Sequence, residues 1–315
     1  MISGQFFTGI NENNLHKTRL SVIIPIQYPN KHIDNLLRLA EDALNSTIRL
    51  IYVFDCPSYI NVESIVLKKL TELKVKVVID SFGNAGQARN AGLSLADSDW
   101  IAFWDSDDMF DLNLALEALR IAPEDSTVVI GGFQVLEVCK GFRREVEPPI
   151  TPSSLARNPG IWRMMFRKEL LKDITFPSIK LAEDQVFLCR TLCQHPKVFF
   201  TPLVWYRYAF GLIEQTTTSS SKLLILKSQI QAVEFISTIK KPHLDSCYAC
   251  ESMSRIQWRL SGSAVVRILA NNRLYNRIGI EYLRYAIHNV LQFGLLKNLV
   301  FLSEFLRGKL YAPKR

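Results

Sequence analysis

The chain has 315 residues, of which 48% are hydrophobic and 22% charged, with a formal net charge of +8. That is the composition of an ordinary globular protein, long enough to bury one large core or two modest ones. No run reaches the roughly 18 uncharged apolar residues that a membrane-spanning helix needs, and Met1 to Arg19 has no apolar stretch of signal-peptide length.

In chain order, Leu20–Ile26 is an apolar, β-branched run that Pro25 should turn out of its strand. Ile33, Leu36, Leu37, Ala40 and Leu44 recur at helical spacing. Arg49–Asp55 predicts a second buried strand ending in an acid, Ile60–Leu73 a helix, and Lys74–Asp80 a third strand. A loop with Gly83 and Gly86, which permit positive φ or close backbone approach, leads to a helix over Gln87–Ala96. Asp99–Asp105 reads as a fourth strand. The alternation implies an α/β fold with a mostly parallel sheet and helices on both faces.

After Leu119 the pattern changes. Ser126–Phe133 predicts a strand, Gln134–Pro149 an antiparallel excursion, and Thr151–Asn158 a surface loop. Ala182–Cys193 reads as a helix opened by Glu183 and Asp184, and Val198–Tyr208 as a strand-like aromatic segment. The Thr/Ser-rich run Gln215–Lys222 marks a boundary between a catalytic domain, residues 1–215, and a helical region, 216–315.

The fourth strand carries the chemistry. Five apolar residues, Trp100 to Trp104, run directly into Asp105-Ser106-Asp107-Asp108. Three carboxylates this close raise one another's pKa unless a cation neutralises them. Hard oxygens suit Mg²⁺ or Mn²⁺, and the strand's C-terminal end is where open α/β sheets bind ligands. A solvated, helix-capping turn before Asp111 is the plainer alternative.

Taken in order, these segments resemble the inverting glycosyltransferases of family two, which have the nucleotide-sugar-binding GT-A fold. The resemblance covers roughly Arg19 to Ser220. It rests on Val22-Ile23-Ile24-Pro25, on Asp55, and on Asn84-Ala85-Gly86 followed by Ala88-Arg89-Asn90-Ala91-Gly92. It rests also on Asp105-x-Asp107-Asp108, on Trp162 with Phe166-Arg167, and on Glu183-Asp184-x-x-Phe187.

The resemblance implies a nucleotide-sugar site of Pro25, Asp55, Asn84, Gly86, Arg89, Asp105 and Asp108. Asp55 would meet the base, Asp105 the ribose and metal waters, and Asp108 the donor sugar. Asp107 would bind Mn²⁺ or Mg²⁺, and Asp184, 79 residues after Asp105, would be the general base. Glu183 would assist it, with Trp162 on the acceptor side and Arg207 toward the diphosphate. The Gln-x-x-Arg-Trp segment of processive synthases does not occur, which favours single additions over polymerisation. The implied reaction is transfer from a nucleotide sugar, a UDP-sugar in first place, to a glycan or lipid-linked glycan in surface polysaccharide biosynthesis. A nucleotidylyltransferase is the alternative, though Ile26–Asn30 lacks the glycine-rich loop it wants. A non-catalytic scaffold is the other.

From Trp258 onward ten basic residues face only Glu281 and Glu304, so this segment carries a net +8, the whole chain's charge. Leu283, Ile287, Val290 and Leu291 share one predicted face, and Leu295, Leu299, Leu302 and Leu306 another. Basic amphipathic helices could lie on an anionic membrane surface at the cytoplasmic face, pack on the catalytic domain, or build a homo-oligomer. No nucleic-acid module accompanies the charge. The six cysteines read most simply as reduced thiols. Cys247-x-x-Cys250 with His243, and Cys189 and Cys193 with His195, lack the turn residues of a zinc knuckle.

Overall fold

A computed structural model describes residues 20–27, 29–56, 62–137, 142–210, 221–239, 247–269, 283–292 and 298–299. The first half alternates strand and helix: β1 (Leu20–Ile26), α1 (Pro29–Ala43), β2 (Ile48–Asp55), α2 (Ser64–Glu72), β3 (Lys76–Asp80), α3 (Ala85–Leu95) and β4 (Trp100–Phe103). The short β5 (Met109–Phe110) and α4 (Leu112–Ile121) follow, then β6 (Val128–Ile130), β7 (Phe133–Glu137), β8 (Phe142–Val146) and α5 (Pro152–Arg157). Next come β9 (Met164–Arg167), α6 (Glu183–Leu192), β10 (Val198–Phe200), β11 (Tyr206–Phe210), α7 (Lys222–Thr238) and α8 (Tyr248–Leu269).

Seven strands form one sheet in the order β10-β6-β9-β4-β1-β2-β3, and four form a second, β5-β11-β7-β8. In the large sheet only β9 runs antiparallel to its neighbours. Both faces are apolar because the strands alternate. Val22, Ile24, Leu50, Tyr52, Trp100 and Trp104 face one core with α1 and α4, while Ile23, Ile51, Val53, Ile101 and Phe103 face the other. This two-sided burial is why the strands read as continuous apolar runs.

α3 lies tight against β1. A Cβ on Gly92 would stand 2.4 Å from Ile23 Cγ2 and 3.1 Å from Val53 Cγ2. Gly92→Ala is therefore expected to destabilise the fold by about 1–3 kcal/mol, as overpacked sites do, readable as a lower urea midpoint.

The structure differs from the sequence reading in several places. Thr151–Asn158 is not a loop. Thr151 caps α5 with a reciprocal Ser154 bond, a capping box that uses Ser in place of Glu or Gln. The predicted strand over Ser126–Phe133 divides at Gly131 and Gly132, β6 staying in the large sheet and β7 joining the small one. Val198–Tyr208 divides likewise into β10 and β11. Pro25 stays inside β1, paired with Val53. Ile23 gives its carbonyl to Trp104 N, 3.1 Å away, and the β1–β4 pairing ends there. Two residues on, the missing N–H of Pro25 faces an edge that β4 has already left, so it costs no ladder bond.

The C-terminal helices share the central core. Ala232, Val233 and Ile236 of α7 and Met253, Ile256 and Leu260 of α8 belong to the same buried cluster as Ile23 and Phe103. In the helical segment 283–291, Ala286 and Asn289 are buried while Ile287 and Leu291 are exposed, so the predicted Ile287/Leu291 stripe is not the packed face. Asn289 is drawn inward by Gln257, whose Nε2 donates to Asn289 Oδ1 at 3.1 Å. Leu295, Leu302, Leu306 and most of Gln215–Lys222 lie outside the described residues.

Candidate active site

The strand order reverses direction between β1 and β4, and such a switch point opens a crevice at the carboxyl ends of the strands. Asp105 leaves β4 at that crevice. Across it, α6 begins with Glu183 and Asp184. What joins the two sides is Arg89 of α3. Its Nη2 donates to Asp105 Oδ1 and its Nη1 to Glu183 Oε1, both at 2.7 Å. Arg89 is only 6% exposed. Burial works against its charge, but Asp105, Glu183 and Asp184 outweigh this and hold the guanidinium firmly protonated.

The approach is fixed from beneath by aromatics. Phe103 meets Phe187 edge-on at 5.3 Å between centroids, and Phe187 stacks on Phe176 at 4.1 Å. Phe103 precedes Asp105 by two residues and Phe187 follows Asp184 by three, so one cluster sets both acids. Asn90 clamps the incoming strap. Its Nδ2 donates to Phe176 O at 2.9 Å and its Oδ1 accepts from Phe176 N at 2.8 Å. Ala182, at φ 66°, turns the strap into α6. A Cβ on Gly86 would stand 3.0 Å from Glu183 Cγ, so the glycine lets α3 and α6 approach.

Asp184 is half-buried, and its Oδ1 accepts from Gln185 N at 2.9 Å. Burial first, then the charges of Glu183 and Asp105, push its carboxyl up to about 7 against the pull of Arg89 and the Gln185 amide. A carboxyl poised there can exchange a proton near neutral pH.

Asp107 is pushed up to about 6, by burial and then by the charge of Asp105. Asp108 is held from the second sheet. It is 5% exposed, with Oδ2 accepting from the Tyr206 hydroxyl and Oδ1 from Ala209 N at 2.8 Å. Both oxygens accept from β11, so this acid ties the loop after β4 to the second sheet. Among the described residues no three His, Cys, Asp or Glu side chains converge as metal ligands. Asp105 and Asp107 still fit Mg²⁺ or Mn²⁺, because such ions are held by one or two carboxylates and take further oxygens from water and phosphate. The crowding that raises Asp107 is what a cation would relieve.

At the end of β2, Asp55 Oδ1 accepts from Phe82 N at 2.7 Å and Gly83 N at 3.0 Å, so this acid organises the loop into α3. Gly83 needs its freedom there, at φ +72°. Asn84 caps α3, accepting from Gln87 N at 2.9 Å. Trp162 stacks on Tyr206 at 4.4 Å and meets Phe133 edge-on at 4.6 Å, an aromatic shelf joined through Tyr206 to Asp108. Arg207 lies 3.7 Å from Asp111, whose side chain caps α4, and so is drawn to that acid and not to the acids of the cleft.

Two residues escaped the sequence reading. Tyr206 falls inside the aromatic segment Val198–Tyr208, where nothing marks it out. Arg259 is one of the ten basic residues after Trp258, with no signal to separate it. It sits on α8, donates to Gln185 Oε1, and interacts favourably with the charge of Asp184. Arg259→Met removes that cation from behind the acid. It is expected to raise the pKa of the Asp184 carboxyl by up to about one unit, measured as the midpoint of its side-chain NMR titration.

A family model described as glycosyl transferase family 2 matches residues 21–189. TarS of Staphylococcus aureus (strain Mu50 / ATCC 700699), a poly(ribitol-phosphate) beta-N-acetylglucosaminyltransferase, is 27% identical over 206 residues, 61% of this chain. The match covers 35% of that relative, so the chain spans about a third of the length of the curated protein. The structure of S. aureus TarS 1-349 in complex with UDP-GlcNAc aligns with TM-score 0.62 at 21% identity, covering 88% of this chain and 80% of that one. The mannosyltransferase PcManGT from Pyrobaculum calidifontis, in complex with GDP-Man and Mn²⁺, aligns with TM-score 0.52 at 14% identity over 90% and 88%. The two structures share the fold, and the family match spans more than half of the sequence: the chain belongs to glycosyl transferase family 2.

Proposed function

We propose that this protein is an inverting glycosyltransferase that moves a sugar from a UDP-sugar to a hydroxyl of a glycan or glycolipid acceptor. The observation that carries the reading is the Arg89 fork, which brings the acids ending β4 and the pair opening α6 to opposite sides of one cleft. Asp184 takes the acceptor hydroxyl's proton as the oxygen attacks the anomeric carbon. A single displacement from the face opposite the leaving group inverts the configuration. Arg89 binds and orients Glu183 and Asp105 without occupying Asp184 itself. Asp105 and Asp107 would hold Mg²⁺ or Mn²⁺. Such an ion, when bound, stabilises the charge that develops on the departing diphosphate. Asp55, its Oδ1 held by two amides, would offer Oδ2 to the N3–H of uracil, a donor that cytosine lacks.

The C-terminal helices expose Val266, Leu269, Leu291 and Leu299, and these support a peripheral association at a membrane carrying a lipid-linked acceptor. Among the described residues no helix is long and apolar enough to cross a membrane.

A thermal-shift series with UDP, GDP and CDP, each with and without Mn²⁺, tests the reading. Ligands that bind only the folded state raise the melting temperature by mass action. UDP with Mn²⁺ should give the largest rise, and Asp107→Ala should remove the manganese-dependent part. No stabilisation by any nucleotide, with or without the cation, would overturn the proposal.

A further inference from the structure

Cys247 and Cys250 belong to none of the chemistry above. Cys247 stands immediately before α8 and Cys250 lies in its first turn. Their sulfurs are 2.9 Å apart, inside the contact distance of two unbonded sulfur atoms. A disulfide needs about 2.05 Å, a movement under 1 Å. Cys250 N also donates to Cys247 Sγ at 3.3 Å. The two thiols are unequally placed: Cys250 is 8% exposed, whereas Cys247 is half-buried and can be reached from solvent. Burial opposes the charge of Cys247, but the Cys250 thiol and the amides of Cys250, Ala249 and Cys247 outweigh it and hold this thiol below the usual range. Elsewhere burial works alone: Cys193 is pushed up by it. A low-pKa, accessible thiol with a second thiol in reach is the arrangement that exchange with a disulfide requires. Among the described residues no third ligand converges on the two sulfurs, and His243 lies outside them.

We propose that Cys247 and Cys250 are a redox-active dithiol, which small disulfides of the glutathione class convert reversibly into an intramolecular disulfide at the head of α8. The Cys247 thiolate attacks one sulfur of RS–SR, forming a mixed disulfide and expelling RS⁻. Cys250 then loses its proton and attacks the Cys247 sulfur, forming the Cys247–Cys250 bond and expelling the second RS⁻. Two electrons pass from the protein to the small disulfide, and the two thiolates released take up the two protons. Excess RSH reverses both steps. The bond would pin the first turn of the helix that carries Arg259. The proposal stands apart from the transfer reaction, and its test needs no sugar.

The full-length protein is equilibrated across a series of oxidised-to-reduced glutathione ratios, quenched in acid, and alkylated under denaturing conditions before mass spectrometry. Cys247 and Cys250 should lose alkylation together in one two-electron transition and regain it in excess reduced glutathione, while Cys56 and Cys189 stay alkylatable. Cys250→Ser should trap glutathione on Cys247, and Cys247→Ser should leave Cys250 unmodified. The inference fails if both thiols stay alkylatable at the most oxidising ratio, or if the bond, once formed, resists excess reduced glutathione. It fails equally if Cys247→Ser glutathionylates at Cys250 as readily as Cys250→Ser does at Cys247.

Discussion

Asp184→Asn is expected to cut transfer by about 10²–10⁴-fold, the usual worth of a general base, while raising the melting temperature at pH 8. The second half follows from the sign of the shift. An unfolded aspartate ionises near 3.9, whereas burial, Glu183 and Asp105 push Asp184 up to about 7 in the folded protein. Between those values the native state holds a proton that the unfolded chain releases. The residue's favourable contribution is therefore present at acid pH and lost as pH rises through 7. Asparagine carries no charge to bury. Allowing for partial exposure, the variant should gain about 1–2 kcal/mol at pH 8 and less at pH 5. Calorimetry at the two pH values, beside initial rates, checks both halves. Retained transfer would remove Asp184 from the mechanism. An equal melting shift at both pH values would mean that its charge is not the cause.

Arg89→Met should be the most damaging single change to stability. Asp105 and Glu183 have side chains 31% and 11% exposed, and both rely on the same guanidinium. Removing one partner of a buried ion pair costs about 3–5 kcal/mol, because the charges left behind stay buried. Against a total stability of about 5–15 kcal/mol, that is a large share. Arg89→Lys should rescue little. The two carboxylates are reached by different nitrogens of one planar fork, and a single ammonium cannot span both. Urea unfolding of Arg89→Met, Glu183→Gln and the double variant forms a cycle in which the second change should cost much less in the presence of the first. A loss below about 1 kcal/mol for Arg89→Met would show that water, not the guanidinium, supports these acids.

Local sequence information reaches only part of this fold. Strands buried on both faces announce themselves as apolar runs, so β1, β2 and β4 were legible, as were the acids at their ends. Thr151–Asn158 reads as a loop because its residue at the third helical position is Ser154 rather than Glu or Gln. The division of Ser126–Phe133 between two sheets turns on Gly131, where a Cβ would stand 2.4 Å from the Trp205 ring. That ring arrives from more than 70 positions away, and no local pattern announces it.

The site divides in the same way. The order of residues along the chain determined the family, the acids of β4 and the Glu183-Asp184 pair, because each is a short segment whose chemistry depends on its neighbours in sequence. Three matters waited for the folded chain. Asp108 proved to be a tether to β11, Arg89 the bridge between two acidic segments, and Arg259 part of the surroundings of Asp184. Each depends on at least one partner 74 to 101 residues distant. A charge's role is set by the field and the desolvation around it, and both are supplied by atoms that only tertiary packing brings within reach.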